Sequence, residues 1–270
     1  MLEATAPAKI NLVLRVGPRR ADGFHEVATV LAQLELGDVL RIGPARRTRV
    51  RAPGLPEGDT LVTRALELLC ARTGQAAGFE VEIEKRVPAG AGLGGGSSDA
   101  GTALRLANGL LPHPCDQAVL LEIAAEIGTD VAFFASGAPV ALASGRGERL
   151  EPLDLPPHIP GFVVVAWPGM VLATSAVYGA FTAPAMLAPA TLEDLGVNDL
   201  QPAAERLCPA SARLRHALEA AGGIASVSGS GSAVYGLFDD PERAERARAA
   251  LGGAAWTASS RLASRGTMQP

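Results

Sequence analysis

Lysine is almost missing from this chain: of 24 basic residues in 270, only Lys9 and Lys85 are lysine and the rest are arginine. A chain that uses arginine nearly everywhere keeps lysine where a compact ammonium does what a planar guanidinium cannot. The net charge of -4 leaves no electrostatic footprint for nucleic acid, and no Lys/Arg run suggests an anionic membrane surface. No apolar run is long enough to cross a bilayer; the stretch from Phe162 to Trp167 is typical. The first residues lack a charged segment followed by an apolar one, so no export signal is read there and a cytoplasmic location is expected. Cysteines number three (Cys70, Cys115, Cys208), without a CxxC pair. That excludes a disulfide framework and a zinc site, and small buried thiols in a reducing compartment are expected. Aromatic residues are only 4% of the chain, so the position of each one is informative.

What is present reads as alternating strands and helices. From Lys9 to Val16 the period of two places Ile10, Leu12, Leu14 and Val16 on one face, and Lys9 and Asn11 side by side on the other. After a turn over Arg19 to Gly23, the apolar stretch Val27 to Leu36 is expected to pair back onto that strand. Thr60 to Cys70 has helical spacing. Phe79, Val81 and Ile83 alternate with glutamates, as in an antiparallel strand with one wet face. Helices are expected near Ser97 to Leu111 and Asp116 to Ile127, the second closed by Gly128. Pro152, Pro156, Pro157 and Pro160 mark a stiff connection between two halves. Beyond it come a strand (Gly161 to Trp167), helical patterns (Ser175 to Phe181, Ala210 to Ala221), a Gly/Ser loop with a strand (Ser226 to Phe238) and a helix (Pro241 to Leu251). The fold class is α+β in two domains, residues 1–151 and 152–270.

The strongest local signal is Pro88-Ala-Gly-Ala-Gly-Leu-Gly-Gly-Gly-Ser-Ser-Asp-Ala100. Five of the seven residues from Gly90 to Gly96 are glycine (Gly90, Gly92, Gly94, Gly95, Gly96), so a ligand can approach the backbone closely. Ser97 and Ser98 then open a helix whose unpaired N–H groups and positive dipole end favour phosphate. The loop is no Walker A motif, since no lysine follows its glycines. Gly90-x-Gly92-x-x-Gly95 matches the dinucleotide fingerprint, but the strand before it alternates with glutamates, against a Rossmann fold.

Three segments in order, Pro7-Ala8-Lys9-Ile10-Asn11-Leu12, Pro88 to Ala100 and Ser228-Gly-Ser-Gly-Ser232, resemble the motifs of the GHMP kinases. Arg20-Ala-Asp-Gly-Phe-His-Glu26 and Gly128-Thr-Asp-Val-Ala-Phe-Phe134 narrow the resemblance to the branch acting on a diphosphocytidyl-methylerythritol. The resemblance implies a two-domain GHMP fold and ATP with Mg²⁺ as phosphoryl donor. It also implies transfer to the 2-hydroxyl of 4-diphosphocytidyl-2-C-methyl-D-erythritol, a step of non-mevalonate isoprenoid synthesis. The chain is expected as a monomer or homodimer. No carboxylate group stands out as a metal cage, so the cation is expected to be held by phosphates and water.

Carried onto this chain, the resemblance makes Asp130 the base that accepts the hydroxyl proton and Lys9 the group that orients it, with Asn11 beside them. By its residues alone Asp130 fits a helix N-cap better than a base, while a strand-edge cation, the plain alternative for Lys9, is opposed by the scarcity of lysine. Lys85, Pro88, Gly90, Gly92, Leu93, Gly94, Gly95, Gly96, Ser97 and Ser98 are expected around ATP. Phe24 and Tyr178 are expected to clamp a cytosine whose edge His25 reads. Phe24 stands where the branch has tyrosine. Thr60, Thr129 and Ala132 also depart from its pattern. Asn198-Asp199 matches a signature of the branch without an evident role. Two rival readings are a sibling kinase for homoserine or a mevalonate derivative, which needs no base-reading pair, and a non-catalytic nucleotide-binding module, which needs neither Lys9 nor Asp130.

Overall fold

A computed structural model describes residues 1–53 and 60–264. Two long strands, β1 (Leu2–Arg19) and β2 (His25–Ala45), form an antiparallel ribbon that organises the first half. On its other edge β2 pairs with β4 (Gly78–Glu84) through its second part and with β5 (Val140–Gly145) through its first. The short strands β3 (Arg49–Arg51) and β6 (Arg149–Pro152) complete the six-stranded sheet. The glutamate alternation of β4 holds: Phe79, Val81 and Ile83 are buried against the helices while the glutamates face outward.

Helices α1 (Leu61–Thr73), α2 (Gly95–Leu110), α3 (Gln117–Ile127) and α4 (Thr129–Ser136) cover one face of this sheet. The stripe Ala100, Ala103, Leu104 and Ala107 of α2 is fully buried in their common core with Leu66, Leu69 and Ile123. Each large aliphatic side chain so buried contributes roughly 1.5–3 kcal/mol. Thr60 caps α1 by accepting from Thr63 N at 3.1 Å, and Asp116 caps α3 from Val119 N at 3.0 Å.

The second half carries a four-stranded antiparallel sheet in the order β10-β7-β9-β8, built from β7 (Phe162–Trp167), β8 (Ile224–Val227), β9 (Val234–Phe238) and β10 (Trp256–Arg261). Helices α5 (Thr174–Ala180), α6 (Gln201–Leu207), α7 (Pro209–Ala220) and α8 (Pro241–Ala250) accompany it. Ile10, Leu12, Val13 and Val30 share one core with Val163, Val165 and Tyr235, so the first ribbon and the second sheet are joined by apolar packing. The Gly/Ser segment read as a loop before one strand is the turn of a hairpin, β8 to β9. Of the cysteines, Cys208 is buried but Cys70 and Cys115 are half-exposed, and all three are free.

One expectation about β1 fails. Asn11 pairs with Leu31 and Val13 with Val30, so β1 has one residue more than β2 at Leu12. The bulge reverses the alternation. Ile10, Leu12 and Val13 face the core shared with the second sheet, while Leu14 turns to the side of Lys9 and Asn11 and lines the same cavity.

Candidate active site

The side chains above β1 form a chain of hydrogen bonds. Lys9 Nζ donates to Asn11 Oδ1 at 2.8 Å, Asn11 Nδ2 donates to Thr29 Oγ1 at 2.8 Å, and Thr29 donates to Val13 O at 2.6 Å. Every member is buried, so the amide of Asn11 has a single orientation in which its oxygen serves the ammonium. Tyr235 pins the backbone below by donating from its hydroxyl to Asn11 O at 2.8 Å. Burial raises the phenol of Tyr235 well above its ordinary range.

Asp130 reaches this chain from α4. Gly128 is the N-cap of that helix, so Asp130 occupies its first turn and caps nothing with its side chain. A carboxylate there is favoured by the helix dipole. Its Oδ2 lies 3.7 Å from Lys9 Nζ, an ionic contact too long for a direct hydrogen bond, and its side chain is 38% exposed toward the cavity.

The glycine-rich loop closes over the chain. Lys9 N donates to Leu93 O at 2.9 Å, fixing loop to strand. Gly92 and Gly94 have φ of +91° and +73°, and neither has room for a side chain. A Cβ on Gly92 would lie 2.7 Å from Gly231 O and Ser228 O, and one on Gly94 2.9 Å from Lys9 Cγ. The Ser228 to Ser232 turn backs the loop: Ser228 Oγ donates to Gly92 O at 3.1 Å and Ala233 N to Ala91 O at 2.9 Å. That turn is held from behind by Asn198, whose Nδ2 donates to Val227 O and Gly229 O, both at 2.8 Å. Asp199 accepts from Val16 N at 2.9 Å and pairs with Arg15. Asn198-Asp199, without an evident role in the sequence, is thus a strut.

Lys9, Asn11, Thr29, Gly92, Gly94, Ser97, Asp130 and Tyr178 surround one cavity of about 380 Å³. A second, of about 910 Å³, contains Phe24, His25 and Tyr178 in its wall and shares Val27, Gly128, Thr129, Arg146, Thr174 and Tyr178 with the first. The two are one continuous cleft. His25 Nδ1 lies 2.9 Å from Gly17 O, and since a carbonyl only accepts, that nitrogen carries the proton. Its ring packs at 5.3 Å on Tyr178. Burial, with Asp130 nearby, pushes the Tyr178 phenol up to about 12. Phe24 is 57% exposed, with the Arg146 guanidinium 5.3 Å over its ring.

Not every residue expected around ATP faces this cleft. Ser98 is fully buried, Leu93 turns its side chain into the core, and Lys85 is paired with Asp38 and Asp99. Pro88, Gly90, Gly95 and Gly96 line neither cavity. Gly90 packs against Val171, Gly95 lies on the Lys85 group, and Gly96 is exposed. Residues that line the cleft without having been expected there from the sequence include Thr29, Arg146 and Thr174. Thr29 lies one strand away from Asn11, and nothing in its own segment signals the pairing.

The GHMP kinases N terminal domain matches residues 60–138 and the GHMP kinases C terminal domain residues 185–258. With the glycine loop, the backing turn and the Lys9–Asp130 pair in place, the chain belongs to the GHMP kinases and is an ATP-dependent small-molecule kinase. Within that family it is similar to curated 4-diphosphocytidyl-2-C-methyl-D-erythritol kinases. The one from Anaeromyxobacter dehalogenans is 40% identical over 94% of this chain and 86% of its own length. That from Desulfotalea psychrophila is 39% identical over 88% and 85%. A crystal structure of 4-(cytidine 5'-diphospho)-2C-methyl-D-erythritol kinase superposes with a TM-score of 0.84 at 38% identity, covering 97% of this chain and 100% of the other. Homoserine kinase from Cytophaga hutchinsonii, at 18% identity and a TM-score of 0.69, covering 94% and 95%, shares the fold. Among the described residues no helix is long and apolar enough to cross a membrane.

Proposed function

We propose that this kinase transfers the γ-phosphoryl group of ATP to the 2-hydroxyl of 4-diphosphocytidyl-2-C-methyl-D-erythritol, a step of non-mevalonate isoprenoid synthesis. The observation that carries the reading is the continuous cleft: a charged end with Lys9 and Asp130, and an aromatic end with Phe24, His25 and Tyr178. A small acceptor such as homoserine or mevalonate leaves the aromatic end without a purpose. A pure nucleotide binder leaves the Lys9–Asp130 pair without one.

The chemistry follows from the geometry. The 3.7 Å gap between Lys9 Nζ and Asp130 Oδ2 suits a hydroxyl that accepts from the ammonium and donates to the carboxylate. As the oxygen attacks the γ-phosphorus and the bond to the bridging oxygen breaks to release ADP, the hydroxyl proton passes to Asp130, and Lys9 offsets the negative charge that develops on the attacking oxygen. The glycine loop presents backbone N–H groups to the phosphates, so the transfer rests mainly on positioning and charge neutralisation. Mg²⁺ bound with ATP would supply charge neutralisation at the phosphates. Among the described residues no three or more His, Cys, Asp and Glu side chains gather as a metal site. At the other end, Phe24 and Tyr178 offer ring faces to a pyrimidine. Protonation at Nδ1 leaves Nε2 of neutral His25 free to accept from an exocyclic amino group.

The test is a coupled ADP-release assay with the cytidylated compound, methylerythritol 4-phosphate, homoserine and mevalonate. Turnover is expected with the first alone at low concentration. Equal efficiency with the uncytidylated phosphate would remove the base clamp and leave only the family assignment.

A further inference from the structure

Beneath the phosphate loop lies a group of charges that the transfer chemistry does not use. The ammonium of Lys85 donates to Asp38 and, at 2.7 Å, to Asp99 Oδ2. Asp38 is fully buried and Asp99 is 3% exposed. Asp38 Oδ1 also accepts from Arg86 N at 2.6 Å and Val87 N at 2.8 Å. Arg86 and Val87 lead into the loop, Asp99 follows it on α2, and Asp38 belongs to β2. One cluster therefore closes the base of the loop. A Cβ on Gly95 would lie 3.5 Å from both Asp38 Oδ2 and Lys85 Nζ, so the charges sit against the first residue of α2.

The cluster has two carboxyl groups and one ammonium. The nearby charges are turned elsewhere: Arg86 pairs with Glu84 at 2.9 Å at the surface, and Lys9 lies across the loop engaged with Asn11 and Asp130. Two carboxylates in one buried site cannot both ionise cheaply. Three donors converge on Asp38, whereas Asp99 Oδ1 has no partner, so the surplus proton belongs on Asp99. Burial pushes the Asp99 carboxyl up to about 7, against the pull of Lys85 and with the help of Asp38. Burial alone would lower the Lys85 ammonium, but the two carboxyl groups outweigh it and raise it.

We propose that Asp38, Lys85 and Asp99 are positioning residues for ATP, a clamp that shapes the phosphate loop and admits the triphosphate in its proton-bearing, uncharged form. Above neutrality the clamp carries one net negative charge under a loop that receives a polyanion. Below neutrality that repulsion is gone. ATP binding is therefore accompanied by proton uptake and weakens as pH rises. The proposal rests on ATP as the donor and is independent of the acceptor.

The experiment is calorimetry of a non-hydrolysable ATP analogue with Mg²⁺ and no acceptor, between about pH 6 and 8.5, in buffers of differing ionisation enthalpy. Wild type is expected to take up protons near neutrality. If only the protonated form binds, its fraction falls from about 0.9 to about 0.03 across that range, so Kd rises by up to about 30-fold. Asp99→Asn keeps an oxygen for Lys85 but cannot titrate. It is expected to retain only the pH dependence of the nucleotide's own phosphates. Lys85→Met, which leaves the two carboxyl groups facing each other, is expected to weaken ATP more than tenfold while the KM for the acceptor stays put. Absent proton uptake by wild type, or an unchanged pH profile in Asp99→Asn, overturns the proposal. Should Lys85→Met fail to fold, the Asp99→Asn profile decides alone. Because no acceptor enters the calorimetry, its failure leaves the acceptor assignment standing, and a wrong acceptor leaves the clamp standing.

Discussion

Gly94→Ala tests whether the phosphate loop and the reacting lysine are one mechanical unit. Gly94 is the N-cap of α2 with φ 73° and ψ 13°, a left-handed conformation that penalises an L-residue by roughly 1–2 kcal/mol. The new methyl would also lie 2.9 Å from Lys9 Cγ and 3.1 Å from Phe134 Cε2 and Cζ. Overpacking of that kind typically costs about 1–3 kcal/mol. The sum is about 2–5 kcal/mol, a fall in Tm of about 4–20 °C for a chain of this size. Phe134 is fully buried on α4 and cannot yield, whereas the stem of Lys9 can swing. The strain therefore goes into Lys9, and the lower half of the stability range is expected together with a loss of the Lys9–Asn11 bond. That predicts a kcat at least tenfold lower. Gly96→Ala is the control. It is exposed, without positive φ, and its Cβ meets only Leu61 Cδ1 at 4.0 Å. Within a helix, alanine there adds up to about 1 kcal/mol of stability. Thermal unfolding and steady-state kinetics of both variants decide. A Gly94→Ala protein as stable and active as wild type refutes the argument. One that loses stability but keeps kcat refutes only the link to Lys9.

Asp130→Asn keeps shape and polarity but removes the base, so kcat is expected to fall by roughly two to four orders of magnitude with both ligands still bound, as single-turnover and binding measurements would show. Phe24→Ala and Tyr178→Ala each remove a stacking face worth roughly 1–3 kcal/mol, so acceptor KM should rise by one to two orders with KM for ATP unchanged; parallel rises in both would count against a base clamp. Asn198→Ala strips the donors from two carbonyls of the backing turn at roughly 1–3 kcal/mol each, visible as a lower denaturation midpoint. Because Gly229 lies beside Lys9 Nζ, kcat should fall as well, and an active variant of normal stability would show that the strut is dispensable.

The parts of the site legible in the sequence are those with a local cause. The left-handed φ values of Gly90, Gly92 and Gly94 demand glycine, so the loop announces itself in composition. Lys9 and Asn11 share a face because they are two residues apart, and they do meet at 2.8 Å. The scarcity of lysine singles out Lys85, but its partners Asp38 and Asp99 lie 47 and 14 residues away, and no periodicity connects them. The N-cap reading of Asp130 fails for a local reason too subtle to see: the helix begins two residues earlier, with Gly128 as the cap.

The bulge at Leu12 is the feature that period-two reading could not foresee, and it explains how one strand serves both halves of the molecule. Without the extra residue, Leu14 would continue the Ile10 face, and the floor of the cleft would end at Asn11. With it, Leu14 joins Lys9 and Asn11, and the free edge of β1 is offered to residues 196–199. Gly196 N donates to Leu12 O at 2.8 Å, Leu14 N to Val197 O at 2.8 Å, and Asp199 N to Leu14 O at 2.9 Å. That edge pairing delivers Asn198 to the Ser228–Ser232 turn, and the turn in turn holds Gly92 over Lys9. A straight β1 would have to give up either the floor or the strut. The residue inserted between Asn11 and Val13 lets the strand keep both.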